Sequence, residues 1–266
     1  MKLAFSTIGC PEWSWDEALS AAADLGYDGI EVRGIKNELS APLIPQFSAG
    51  RLPTARAQLQ RLNLAVPCLA SGCALGNPAT VATALAEAQA YVDCAAALGA
   101  SFIRVMAEGT AQPSSAIDEA ALRRALAELA GYASAKGVVA LLETNGAYAD
   151  SACLAGLMDS LPADGLGVLW DIHHPYRFFC EAPAQTVSRL GKWIRYVHVK
   201  DSVLAQGLPR YRMLGQGDLP VALAVQALRD IGYDGWYTLE WVRRWDMSLE
   251  EPGIAFAHYV GSMKNL

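Results

Sequence analysis

Short β-favouring runs alternate with Ala/Leu-rich helical stretches along this whole chain, and no segment of different character interrupts them. Runs rich in β-branched or aromatic residues fall at 2–6 (KLAFS), 29–33 (GIEVR), 64–71 (LAVPCLAS), 101–107 (SFIRVMA), 138–143 (VVALLE), 167–171 (GVLWD), 194–198 (IRYVH) and 236–240 (WYTLE). Helices read between them at 15–25, 51–62, 79–98, 116–136, 151–160, 183–191, 219–230 and 250–263. Parallel strands need a long crossover connection, so strict strand–helix alternation points to a parallel sheet covered by helices. An internal echo supports the division. Asp24-Leu25-Gly26-Tyr27-Asp28-Gly29 leads into the second run and Asp230-Ile231-Gly232-Tyr233-Asp234-Gly235 into the last, each with a glycine suited to the left-handed position that ends a helix.

Eight right-handed βα units of this length predict an α/β fold, a (β/α)8 TIM barrel in a single domain over residues 1–266. An open doubly wound sheet is the alternative, but no GxGxxG follows the first strand to place a dinucleotide there. The longest irregular stretch, Gly34 to Gly50, reads as an active-site loop.

Composition narrows the class. A hydrophobic fraction of 53% and a mean hydropathy of +0.18 indicate a substantial core. The net charge of −6 lacks the basic footprint of a nucleic-acid binder. Arg123-Arg124 and Arg243-Arg244 are short basic pairs beside acidic residues and read as solvated faces. Six cysteines without a CxxC pair, and no signal peptide, predict reduced thiols and a cytoplasmic protein. No apolar run approaches the ~18 residues of a membrane span.

Four runs share one feature: each ends in a side chain that can bind a metal or move a proton, namely Glu143, Asp171, His198 and Glu240. In a barrel these are carboxyl-terminal strand ends, where active sites lie. A lone acidic residue closing a strand is usually a helix cap or a surface group; four in consecutive βα units predict a divalent-metal site. Three carboxylates and an imidazole, without thiolate, suit Mn2+, Mg2+ or Co2+, with Zn2+ also open.

Neighbouring residues extend the site. His174 lies three residues past Asp171 and is placed to contact a substrate hydroxyl; His173 reads as facing away. Lys200 shares the face of His198 and either stabilises an enolate oxygen or pairs with Asp201 or a barrel carboxylate. Asn145 either aligns a ligand or holds a turn. Charges inside apolar strands are costly unless paired, so a Glu31–Arg104 type of pairing is expected, with Arg33 and Arg104 also candidates for gripping substrate. Trp13, Trp15, Trp170 and Trp241 are candidates for stacking on a sugar ring, Trp13 and Trp241 foremost, and each reads equally as core filler. In LGQGD (214–218) the glycines could admit an anion to backbone N–H groups, but Asp218 as a helix cap is the expected role.

LLETN (141–145), WDIHH (170–174), YVHVKDS (196–202), LGQGD (214–218) and GYDGWYTLEW (232–241) resemble the sugar phosphate isomerase/epimerase group. That group belongs to the xylose isomerase-like TIM barrel superfamily, with ketose 3-epimerases, inosose dehydratases and endonuclease IV. The resemblance runs from the GYDGIEVR segment onward. It implies that Glu143, Asp171, His198 and Glu240 bind one divalent metal, with Mn2+ favoured. It further implies that Glu143 and Glu240 form the acid/base pair and that His174 contacts a small-molecule sugar or cyclitol. The reaction implied is isomerisation or epimerisation through an enediolate. The chain departs from ketose 3-epimerases in carrying Lys200-Asp201 in HVKDS, which resembles the inosose dehydratase branch. A dehydratase acting on an inosose or 3-keto-sugar is therefore the rival. A nuclease of the endonuclease IV kind needs many more histidines than the four present. A non-catalytic sugar-binding barrel is opposed by the intact ligand set. A homo-oligomer is compatible with all of these readings.

Overall fold

The computed structural model describes residues 1–114 and 117–266. The chain forms two compact units, Met1–Pro67 with Val197–Leu266, and Cys68–Tyr196.

In the first unit, β1 (Lys2–Ser6) pairs in parallel with β2 (Gly29–Glu31) and with β10 (Trp236–Leu239). The order there is β2-β1-β10-β7, with β7 spanning Ile194–Val199 and crossing the division between units. Helix α1 (Trp15–Leu25) starts on a capping box in which Ser14 and Glu17 satisfy each other's backbone N–H, and ends on Gly26 at φ 76°. The second GYDG segment repeats the device after α8 (Val221–Asp230), with Gly232 at φ 72°. Gly29 has its own reason to be glycine: a Cβ there would stand 2.5 Å from the Ala65 carbonyl oxygen. Helices α2 (Leu52–Leu62) and α9 (Pro252–Lys264) complete this unit. Its aromatic core has Phe5 stacked on Phe256 at 4.1 Å, with Tyr27 edge-on to Phe5 and its hydroxyl donating to the Phe256 carbonyl.

In the second unit the order is β7-β6-β5-β4-β3, all parallel. These strands are β3 (Cys68–Ala74), β4 (Phe102–Met106), β5 (Val139–Glu143) and β6 (Leu166–Asp171). They alternate with α3 (Val81–Leu98), α4 (Glu119–Ser134) and α5 (Ser151–Asp159). Nearly every residue of these strands is buried, as expected of strands covered on both faces. Two further helices, α6 (His173–Phe179) and α7 (Pro183–Leu190), precede β7.

The sequence-read strands and helices therefore exist, with ends shifted by a few residues; residue 116, the expected start of the fourth helix, lies outside the described residues. A helix and a hairpin are among the elements that had not been expected. Helix α6 begins directly after Asp171, and its Pro175 is tolerated because first-turn N–H groups have no intrahelical acceptor. The hairpin β8 (Asp201–Ala205) with β9 (Leu208–Arg212) turns on Gln206 and Gly207, both at positive φ, as a two-residue hairpin turn requires. All six cysteines are free. Burial pushes the Cys94 thiol up to about 11 and raises that of Cys10, so neither is a ready thiolate. Among the described residues no helix is long and apolar enough to cross a membrane.

Candidate active site

In the second unit, the ends of β5 and β6 are tied by one hydroxyl. Thr144 Oγ1 donates to the Asp171 carbonyl at 3.1 Å and accepts the Asp171 N–H at 2.9 Å. This stitch fixes the two strand ends against each other, Glu143 standing in register with Leu169 and Asp171 two residues further on. Glu143 Oε2 accepts from Arg104 Nη1 at 2.9 Å. The guanidinium is itself immobilised, because Nε and Nη2 both donate to the Ser71 carbonyl, at 3.2 and 2.6 Å. A planar donor fork held at three points fixes the direction of the carboxylate it grips.

Helix α6 brings both histidines back over these strand ends. The His173 N–H donates to Asp171 Oδ1 at 2.9 Å. His174 Nδ1 lies 2.9 Å from the Thr144 carbonyl oxygen, its Nε2 3.6 Å from Asp171 Oδ2. A carbonyl only accepts, so Nδ1 carries the hydrogen in this contact and Nε2 is the ring nitrogen turned away from it. One ligand atom from each of Asp171, His173 and His174 falls within 4.8 Å of the others, and all three residues are buried.

Asn145 turns its amide into the loops: Nδ2 donates to the carbonyls of Glu108 and Thr110, at 2.8 and 2.9 Å. The Glu108 carboxylate closes the same staple by accepting from the Ser114 and Ala147 N–H groups. Gly146 is required there, because a Cβ would overlap Glu108 Oε2.

In the first unit, His198 and Lys200 stand at the end of β7 and Glu240 immediately follows β10. Lys200 forms a buried ion pair with Glu240 Oε2. His198 Nδ1 is 3.5 Å from Glu240 Oε1, while its Nε2 meets Glu31 Oε2 at 2.8 Å. The expected Glu31–Arg104 pairing is thereby corrected: Arg104 serves Glu143, and Glu31 serves His198. Lys200 has chosen a barrel carboxylate over its chain neighbour.

Asp201 has a different task. Its carboxylate accepts the N–H groups of Gly215, Gly217 and Leu219. The glycine-rich loop thus surrounds the protein's own anion. Gly217 is obligatory, since a Cβ would stand 2.0 Å from Asp201 Oδ1. Helix α8 starts after Pro220, whose ring offers no capping group, and Asp218 lies two residues before that proline. Arg33 lies just beyond β2, half-buried, with its backbone N–H donating to Thr7 Oγ1. Trp13 is half-buried and edge-on to Phe256 at 5.6 Å. Trp241 is only 1% exposed and its indole N–H donates to the Glu250 carbonyl, which leaves little ring for stacking. Trp15 and Trp170 are equally buried.

Sequence reasoning missed Ser71, Glu108 and Thr144 as the groups that orient the site. Ser71 and Thr144 carry no signal in sequence, being small polar residues within or just past a strand. Glu108 carried a weak one, as an acidic residue two positions past β4.

Known proteins resemble this chain along most of its length. A profile described as xylose isomerase-like TIM barrel matches residues 19–258. Fructoselysine 3-epimerase of Shigella flexneri is 26% identical, over 96% of this chain and 94% of that protein. The solved structure of the probable 3-DHS dehydratase AsbF of Bacillus anthracis superposes with a TM-score of 0.80 at 16% identity, covering 100% of this chain and 99% of the other. The IOLI protein with a bound zinc atom gives 0.79 at 18% identity, covering 100% and 96%. The fold is a TIM barrel, as the alternation of strands and helices predicted.

Proposed function

The chain belongs to the xylose isomerase-like TIM barrel family, and we propose that within it the protein is a divalent-metal-dependent isomerase or epimerase of a keto-sugar or related polyol. Glu143, Asp171, His198 and Glu240 are the ligand set in this reading. The observation that carries it is that all four are buried where their strands end, Glu143 and Asp171 in the second unit and His198 and Glu240 in the first. Ionisable groups withdrawn from water are costly unless counter-charges, hydrogen bonds or a metal compensate them. Their donor chemistry fits a hard or borderline ion, Mn2+ first, with Mg2+, Co2+ and Zn2+ as further candidates.

When bound, such an ion polarises a substrate carbonyl and makes the neighbouring C–H more acidic. The protein's own groups do the rest. One of Glu143 and Glu240 removes the proton from the carbon beside the carbonyl, producing an enediolate, and the other returns a proton. Return to the same carbon from the opposite face gives the epimer; return to the adjacent carbon gives the aldose–ketose isomer. Arg104 keeps Glu143 aimed, and Lys200 carries positive charge beside Glu240 that stabilises the enediolate oxygen. His174 offers Nε2 to a substrate hydroxyl, with Arg33 and Trp13 as the remaining substrate contacts. Arg104, Asn145 and Trp241, whose polar groups bind other parts of the protein, support the site from behind.

The Lys200–Glu240 pair also favours a second reading, a dehydratase acting on an inosose or 3-keto-sugar. A base and an adjacent ammonium could remove the α-proton and protonate a departing β-hydroxyl. One experiment separates the two. The metal-loaded protein is incubated in D2O with a panel of keto-sugars and inososes and followed by NMR. Deuterium entering the carbon beside the carbonyl without loss of water is the expected result. A new enone or diketone signal selects the dehydratase, and absence of exchange with every substrate removes the shared proton-transfer chemistry.

A further inference from the structure

We propose that Glu31 is a positioning residue for the metal: it holds His198 in the Nε2–H form, so that Nδ1 is the nitrogen that donates to the ion. This rests on the metal-dependent reading above and deepens it. Glu31 is the last residue of β2, inside an otherwise apolar strand, and it is 0% exposed. An unpaired carboxylate there would cost several kcal/mol in order of magnitude, so something must compensate it. Among the described residues its side chain has one partner, His198 Nε2 at 2.8 Å, and Oε1 receives no hydrogen bond.

Chemistry sets the direction of that contact. An ionised carboxylate only accepts, so the hydrogen in the Glu31–His198 bond resides on Nε2. With Nε2 so committed, the neutral ring presents its lone pair at Nδ1. That atom is the one turned to Glu240, 3.5 Å from Oε1. Glu31 meets the ring at Nε2, the nitrogen other than the one turned to Glu240. It therefore acts through the histidine and not on the ion. A carboxylate behind a metal-binding imidazole fixes the ring's orientation and strengthens it as an electron-pair donor. Glu31 comes from β2 and His198 from β7, so the bond also ties the ring to a strand 167 residues away in sequence.

The test uses the full chain with Co2+ alone as probe, titrated against a chromogenic chelator. Glu31→Gln keeps the side chain's shape but replaces the obligate acceptor with a group that can also donate. It is expected to weaken Co2+ binding by about 10–100-fold, with an unchanged thermal midpoint before metal is added. Glu31→Asp, which retains the carboxylate on a shorter arm, should recover part of that loss. Independently of any variant, long-range 1H–15N correlation on the 15N-histidine-labelled, metal-free parent should show the hydrogen of His198 on Nε2. After Zn2+ is added, the shift change should fall on Nδ1. A parent that binds Co2+ while Glu31→Gln binds it equally well, or Zn2+ ligation through Nε2, overturns the role of Glu31 and leaves the metal site standing. A parent that binds neither ion overturns the metal-dependent reading, and this inference with it.

Discussion

His174 and His198 are both buried beside carboxylates, yet their neighbours make different reagents of them. His174 is held through Nδ1 by a neutral backbone carbonyl, that of Thr144, in its own unit's strand-end loop. His198 is held through Nε2 by the carboxylate of Glu31 on a distant strand. A carbonyl orients a neutral ring and leaves its other nitrogen available to a hydroxyl; a carboxylate adds negative charge behind the ring and suits it to a cation. The two glutamates differ in the same way. Glu143 is gripped by a guanidinium locked onto Ser71, whereas Glu240 meets the single ammonium of Lys200 on a flexible stem. Residue type alone thus does not fix a role, because the partner on the far side decides it.

The largest expected effect tests whether the two glutamates form a pair at all. Glu143→Gln and Glu240→Gln should each reduce deuterium exchange into substrate by about 10²–10⁴-fold, the usual contribution of a general acid or base. If only one variant loses exchange, the other carboxylate is not a proton carrier. A smaller effect probes the locked guanidinium. Arg104→Lys preserves the charge but cannot span Glu143 and Ser71 together, so urea unfolding should show a loss of about 1.5–3 kcal/mol, as for a hydrogen bond to a charged group. An unchanged midpoint would mean that the fork adds nothing beyond its charge, erasing its contrast with Lys200. The smallest concerns the tie between Asp201 and the glycine loop. Gly217→Ala forces a methyl against Asp201 and should cost about 1–3 kcal/mol by the same measurement, as overpacking does. A neutral result would show that this loop yields readily.

Much of the frame was legible in the sequence because its signals are local. Strand runs and the left-handed glycines at 26 and 232 depend on a few adjacent residues, and the backbone obeyed them. Helix α6 and the hairpin escaped for the complementary reason. HHPYRFF is seven residues long, too short for a helical period to emerge, and a proline masks it further. The hairpin's second strand, LPRYR, has mixed polarity and a proline that suits an edge.

The candidate site divides along the same line. That Glu143, Asp171, His198 and Glu240 close four apolar runs is written in the chain, as is the expectation that strands of one parallel sheet bring their ends to one side. Which charge meets which is not. Glu31 pairs with His198 and not Arg104, Lys200 with Glu240 and not Asp201, and Asp201 with the N–H groups of a loop more than a dozen residues on. Hydrophobic periodicity specifies which face of a strand is buried, but a buried charge is satisfied by whatever donor lies within about 3 Å of it in space. That proximity depends on strand register and side-chain reach across neighbouring elements, which only the folded chain establishes.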